Sequence, residues 1–260
     1  MSIFAVTGAA SGIGAATRRL LLENGHEVVG VDLGGADITA DLGTADGRAS
    51  AVCGIERACA GRLDGLVTAA GIGGSSVETG GPLTSINYFG TVRVVEGLRG
   101  ALTAARGAVV CVSSNSATCQ PGWPVALAET CLAGDEIAAF RLAEQGPSMV
   151  AYAATKAAVA WWVRTCTPQW SAFGVRVNAV APGLIETPLV TKQRQDPLLA
   201  DAIDTFPIPR GMAGQPEEVA AVIDFLLSPK AALLHGCVVF ADGGTDAQFR
   251  PRDWPSVWLP

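Results

Sequence analysis

Six stretches of the chain are valine-rich and apolar almost without interruption: IFAVTG (3–8), EVVGVD (27–32), LDGLVTAAG (63–71), GAVVCVSS (107–114), GVRVNAVAPG (174–183) and GCVVFADGG (236–244). A strand with one face in water alternates apolar and polar residues, whereas an unbroken run fits a strand covered on both faces. Between most of these runs lie stretches mixing apolar and polar positions, long enough for helices, such as Thr44 to Ala60 and Ser85 to Ala105. After Gly14, the apolar positions Leu20 and Leu21 continue from Ile13 at helical spacing. Strand and helix alternate along the whole chain, with no repeat and no linker. The pattern predicts a single α/β domain over residues 1–260, built on a doubly wound parallel sheet.

Three segments break the rhythm. Residues 117–150 form an insertion with two short predicted helices, PVALAETCLAG and DEIAAFRLAEQG, which end at Gly134 and Gly146. Asp135 is placed to cap the second, with acidic side chains in its first turn. Residues Thr187 to Gly214 are rich in proline and polar side chains, and a mobile loop is expected there. The tail, 245–260, carries two tryptophans and three prolines, so it is expected to pack on its own subunit or a neighbour. Pro168 predicts a kink or early end in the helix that begins near Tyr152.

Composition narrows the function classes. Apolar residues make up 49% of the 260 and charged residues only 16%, which suits a large core and excludes disorder. A net charge of −6 opposes binding of nucleic acid or anionic lipid through general electrostatics. No apolar stretch reaches the length of a membrane span and the N-terminus lacks a basic-then-apolar leader, so a cytoplasmic protein is expected. The seven cysteines include no pair at the two-residue spacing of a metal or redox site, and Cys111, inside an apolar run, reads as a core residue. The only histidines, His26 and His235, are far apart. No metal site and no histidine-based triad is expected.

Candidate chemistry begins at Gly8, Gly12 and Gly14, between the first strand and its helix. A glycine-rich strand-to-helix turn leaves unpaired N–H groups that attract anions, although it also serves plain close packing. Asp32 ends the second strand eighteen residues after Gly14, where a Rossmann-type fold binds the adenosine ribose hydroxyls with a carboxylate. A solvated turn aspartate would look the same in isolation; with the glycines, dinucleotide binding is favoured.

TGAASGIG (7–14) resembles the TGxxxGxG turn of the short-chain dehydrogenases/reductases, and further matches follow in order along nearly the whole chain. ADL (40–42), AAG (69–71), NYFG (87–90), VSS (112–114), YAATK (152–156), NAVAPGLIET (178–187) and ADGG (241–244) each resemble a family motif. The resemblance implies NAD as cofactor, held by Gly8, Ser11, Gly12, Ile13 and Gly14 at the turn and by Asp32 and Leu33 at the ribose. Asp41 and Leu42 would meet the adenine, Ala70 and Gly71 would follow the fourth strand, and Pro182, Gly183, Ile185 and Thr187 would border the nicotinamide. Asn87, Ser114, Tyr152 and Lys156 would form the catalytic tetrad. Ala69 departs from the usual asparagine and removes a side-chain link between strands.

The chemistry of the tetrad follows from residue types. Tyr152 and Lys156 are four apart, on one face of a helix. An ordinary phenol, with a pKa near ~10, is a poor base at neutral pH. A neighbouring ammonium and a positively charged nicotinamide would move it down. By resemblance Tyr152 transfers the proton, Lys156 also holds the ribose hydroxyls, and Asn87 orients a water leading from Lys156 to solvent. Ser114 would hold the substrate oxygen, with Ser113 as the alternative if the alignment slips by one.

Ser114 and Tyr152 are 38 residues apart, more than is usual in the family. That gap, with SINYFGT and DGGTDAQFRP, resembles the group of bacterial 3α-hydroxysteroid dehydrogenase/carbonyl reductases within the family. It implies interconversion of a secondary alcohol and a ketone on a bulky alicyclic skeleton. A 3-oxoacyl-carrier-protein reductase and a non-catalytic NAD-sensing protein are the other readings; the acidic balance opposes the first and the intact tetrad the second. A small-molecule substrate and a homodimer or homotetramer are expected. The insertion would cover the usual contact helix and move the contact to the helix Pro216 to Leu227 and the last strand.

Overall fold

A computed structural model of the chain describes residues 1–195 and 199–253. All six apolar runs contain strands: β1 (Ile3–Thr7), β2 (Glu27–Asp32), β4 (Gly65–Thr68), β5 (Ala108–Val112), β6 (Arg176–Pro182) and β7 (Val238–Ala241). A two-residue strand, β3 (Ile38–Thr39), was not expected from the pattern. The seven strands form one parallel sheet in the order β3-β2-β1-β4-β5-β6-β7. The order reverses direction between β1 and β4, so the loops after them lead to opposite faces and leave a crevice at the carboxyl edge.

The unbroken apolar character is accounted for by cores on both faces. Ala5, Leu66, Val109 and Cys111 pack into one core, and their strand neighbours Phe4, Val6, Val67 and Val110 into the other. Fully burying a valine or leucine contributes roughly 1.5–3 kcal/mol, so β1, β4 and β5 are anchored from both sides.

The first helix, Gly12–Glu23, begins directly in the glycine turn. A Cβ on Gly14 would lie 2.1 Å from the Gly8 carbonyl oxygen, so only glycine lets the helix approach the strand this closely. The predicted helix over 44–60 is Ala45–Ala58, capped by the Thr44 hydroxyl, which accepts from Gly47 N at 3.0 Å. The stretch predicted as helical from Ser85 starts earlier, at Gly81–Leu83. It then passes through a wide π-turn, Thr84–Phe89, before Gly90–Gly97 and Arg99–Ala105.

Both insertion helices are present, Val125–Leu132 and Glu136–Ala143, and Asp135 caps the second by accepting from Ala138 N at 2.9 Å. Gly134 joins them at a φ of +81°, the left-handed region that suits a helix end. Leu127, Ala128 and Cys131 are buried in the same core as Trp162 and Cys166 of the long helix Ser148–Ala172. Residues 153–160 of that helix are buried throughout.

Two expectations need correction. Of the kink or early end expected at Pro168, the early end does not occur: the long helix runs on to Ala172. Proline there removes the N–H that would bond the Arg164 carbonyl, a loss that costs less on the exposed side of a helix, where both residues lie. The segment expected to be a mobile loop holds two short helices, Pro188–Arg194 and Ala200–Asp204. Thr187 caps the first through Val190 N at 3.4 Å, and Arg194 joins the two by pairing with Glu186 at 2.6 Å and Asp204 at 3.4 Å. Of the tail, Thr245–Phe249 is helical, while both tail tryptophans lie outside the described residues.

Candidate active site

The crevice opens into a cleft of about 480 Å³. Its first wall is the glycine turn. Ser11 starts the helix without a side-chain cap bond, which leaves the first-turn N–H groups to a ligand, and the helix dipole favours an anion there. A Cβ on Gly12, at φ +52°, would come within 3.3 Å of the Thr187 methyl and narrow the cleft. Asp32 ends β2 with its carboxylate fixed by two backbone donors, Ala10 N at 2.9 Å and Leu33 N at 2.7 Å. Each oxygen keeps lone pairs for hydroxyls. Asp41 is held by Gly43 N at 2.9 Å.

The structure gathers every expected binding residue on this one cleft: Gly8 and Ser11 to Gly14, Asp32 and Leu33, Asp41 and Leu42, Ala70 and Gly71, and Pro182, Gly183, Ile185 and Thr187. Ser114, Tyr152 and Lys156 line it too; Asn87 stands behind the wall, fully buried. Its amide is engaged twice with Ile72, accepting from N at 2.9 Å and donating to O at 3.0 Å. A methyl placed on Gly71 would lie 3.1 Å from Asn87 Oδ1 and 3.5 Å from Lys156 Nζ, so both groups border one small space.

The two serines line the same cleft, and their hydroxyls have different partners. Ser113 is buried and donates to the Lys156 carbonyl at 2.7 Å, a bond that ties β5 to the long helix. Ser114 lines the cleft, and its oxygen accepts from Ser116 N at 3.1 Å, which leaves its proton free to donate. Its hydroxyl also acts on the Tyr152 phenol.

Burial sets the acid–base character of the pair. It pushes the Tyr152 phenol up, with Ser114 partly opposing the rise, and it pulls the Lys156 ammonium down to about 8. The lowering expected from Lys156 together with a positively charged nicotinamide is not supplied by the polypeptide alone: burial disfavours the phenolate, and the amine lies 5.9 Å from the ring centre. Lys156 Nζ donates to the Val112 carbonyl at 2.9 Å, which fixes the amine beside the phenol.

The far wall is apolar, formed by Ile72, Met149, Leu189, Leu199, Ile203 and Phe206. Four of these lie in the segment that looked like a polar loop. Their signal was present as isolated leucine, isoleucine and phenylalanine positions within 187–214, too sparse to set a period. Gln120 and Gln193 are the uncharged polar residues near that end.

The chain matches two family models, "NAD dependent epimerase/dehydratase family" over residues 4–188 and "Enoyl-(Acyl carrier protein) reductase" over residues 137–246. It is 40% identical to a 3-alpha-hydroxysteroid dehydrogenase/carbonyl reductase of Comamonas testosteroni, an alignment covering 98% of this chain and 100% of the relative. A cis-4-hydroxycyclohexanecarboxylate dehydrogenase of Sinomonas cyclohexanicum is 36% identical, covering 93% and 95%. The crystal structure of a 3-alpha-hydroxysteroid dehydrogenase from Pseudomonas sp. B-0831 complexed with NADH superposes with a TM-score of 0.93 at 45% identity, covering 96% of this chain and 99% of that one. The chain belongs to the short-chain dehydrogenase/reductase family.

As a short-chain dehydrogenase/reductase it is an oxidoreductase. Among the described residues, no group of three or more metal-ligating side chains exists, and no helix is long and apolar enough to cross a membrane. His26 packs edge-on against Phe4 and His235 bonds Ser171, both away from the cleft. Cys111 is fully buried, with its thiol pushed up to about 11 by burial, so it is a core residue and no nucleophile. Where Ala69 replaces asparagine, the Thr7 hydroxyl accepts from Ala70 N at 3.2 Å and links β1 to the segment after β4.

Proposed function

We propose that this short-chain dehydrogenase/reductase uses NAD to interconvert a secondary alcohol and a ketone on a bulky alicyclic skeleton of the hydroxysteroid type, as one domain over residues 1–260. The observation that carries it is the junction of two surfaces: the Ser114–Tyr152 pair sits where the cofactor-shaped cleft meets an apolar wall. The residues present fit NAD. The uncapped helix start suits a pyrophosphate, and the pinned Asp32 carboxylate suits a ribose diol. Bound there, NAD supplies the hydride acceptor.

Everything else is the work of side chains. The apolar wall holds the skeleton and excludes water from the reacting carbon. Ser114 donates to the substrate oxygen and Tyr152 takes its proton. Lys156, anchored on Val112, presents charge to the phenol and to the ribose hydroxyls. Asn87 closes the space behind Lys156 and marks the route by which the proton leaves. The hydroxysteroid and hydroxycyclohexane relatives support the substrate class, and the NADH-bound relative supports the cofactor. Assaying NAD reduction against a panel of 3-hydroxysteroids and simpler cyclic alcohols tests it. Turnover of the steroid alcohols above the small alcohols is expected, and no turnover of any alicyclic alcohol would overturn the assignment.

The assembly we propose is a dimer through the face of helix Pro216–Leu227 and β7. The first insertion helix, Val125–Leu132, packs on the long helix, whereas Phe225 and Leu233 stand exposed, Leu233 at 96%. Crosslinks between copies of that face are expected. Crosslinks centred on residues 155–172 of both subunits would refute it.

A further inference from the structure

We propose that the insertion is a positioning device for Asn87: Glu136, acting through Arg48, and Glu144, acting on Gly81, hold the π-turn that presents that residue behind Lys156. The proposal rests on the alcohol–ketone function above.

A π-turn, closed by i→i+5 bonds such as the one from Gly90 N to the Ser85 carbonyl, is a rare helix irregularity that recurs at functional sites. Here the turn Thr84–Phe89 is held at its start from two directions. On one side, Glu144 at the end of the second insertion helix accepts from Gly81 N at 3.0 Å, and Thr84 Oγ1 donates to the Gly81 carbonyl at 2.7 Å. A Cβ on Gly81 would lie 2.4 Å from Glu144 Oε1 and 2.6 Å from the Phe140 ring, so the contact is close-packed as well as polar.

On the other side, the buried Arg48 guanidinium forms a fork with Glu136, both bonds at 2.9 Å, and its Nη1 also reaches the Ser85 carbonyl at 3.4 Å. A bidentate arginine–carboxylate pair fixes direction as well as distance. The insertion therefore grips the turn at Gly81 and Ser85, and Asn87 lies within it. Asn87 in turn fixes Ile72, next to the Gly71 gap that faces Lys156. The titratable groups facing Lys156 are Tyr152 on its own helix and the Cys111 thiol on β5.

The test compares wild type, Glu144→Ala, Glu144→Gln and Arg48→Met. The first readout is amide exchange of the segments carrying Ile72 and Asn87; the second is the pH profile of alcohol oxidation. Loosening the turn is expected to speed exchange at Ile72 about tenfold in Glu144→Ala and Arg48→Met. The same variants should lose kcat by about tenfold with the KM for NAD within about twofold, and their rising pH limb should move to higher pH. Glu144→Gln keeps an oxygen for Gly81 N and should restore both. Should Glu144→Ala fail to fold, Arg48→Lys keeps the charge, loses the fork and should shift both readouts the same way. Unchanged exchange and pH profile, or a Gln variant as impaired as the Ala variant, would overturn the proposal while leaving the function intact. A wild type inactive on every alcohol would sink the function instead, and the exchange measurement would still decide the coupling.

Discussion

Tyr152→Phe leaves a folded, NAD-binding protein whose alcohol turnover is lower by at least about a hundredfold, the lower end of what a positioned acid–base group contributes. The exchange deletes one oxygen and preserves the ring, which packs at the edge of the main core, so the fold loses little. It leaves Ser114 facing a hydrocarbon, with no group to accept the alcohol proton. The glycine turn and Asp32 are untouched, so NAD affinity by fluorescence titration should stay within a small factor. Lys156→Ala differs in kind: it should lower both turnover and NAD affinity, because the ammonium held on Val112 serves phenol and ribose together. Since burial raises the phenol, oxidation should climb with pH and ketone reduction should fall, each reflecting the form of Tyr152 it needs. Near-wild-type turnover by Tyr152→Phe would disprove the mechanism.

The second large effect is on cofactor choice: NAD should exceed NADP by about 30- to 150-fold in catalytic efficiency, the ratio that about 2–3 kcal/mol corresponds to. The 2′-phosphate of NADP would face the Asp32 carboxylate, and two unit charges ~4 Å apart repel by roughly 4 kcal/mol at an effective dielectric of about 20. Salt and rearrangement reduce that figure. Compensating cations are engaged elsewhere. Arg18 pairs with Asp37 at 2.9 Å, and Arg19 pairs with Glu217. Positions 9–11 and 33–36 hold no basic residue. Asp32→Ala should narrow the preference by weakening NAD and relieving NADP, with the Tyr152 chemistry intact. Equal efficiencies in wild type would refute the role given to Asp32.

How much of this was legible depends on the range of the interaction involved. β1, β5 and β6 were visible because burial on both faces writes a continuous apolar run, whereas β3 is two residues long and writes nothing. The cleft was legible in its glycines, Asp32 and the Tyr152–Lys156 spacing, since each depends on local geometry. Ser113 and Ser114 are chemically identical neighbours, and only the turn of the chain after β5 gives their hydroxyls different partners. The phenol's raised pKa was missed because it depends on surrounding apolar volume and not on the nearest charge. The π-turn, and an ion pair between positions 48 and 136, have no sequence period at all. The roof over the substrate end was hidden because two helices of seven and five residues carry too few apolar positions to mark a face.

The long helix and β5 are stitched at adjacent points on the strand. The Ser113 hydroxyl meets the Lys156 carbonyl, and the Lys156 amine meets the Val112 carbonyl. Ser114 is the next residue along the strand, and Tyr152 stands one helical turn before Lys156. Moving the backbone that carries Ser114 away from the backbone that carries Tyr152 would break both of these bonds together. Amide protons of β5 and of the helix turn around Lys156 are therefore expected to exchange as one unit.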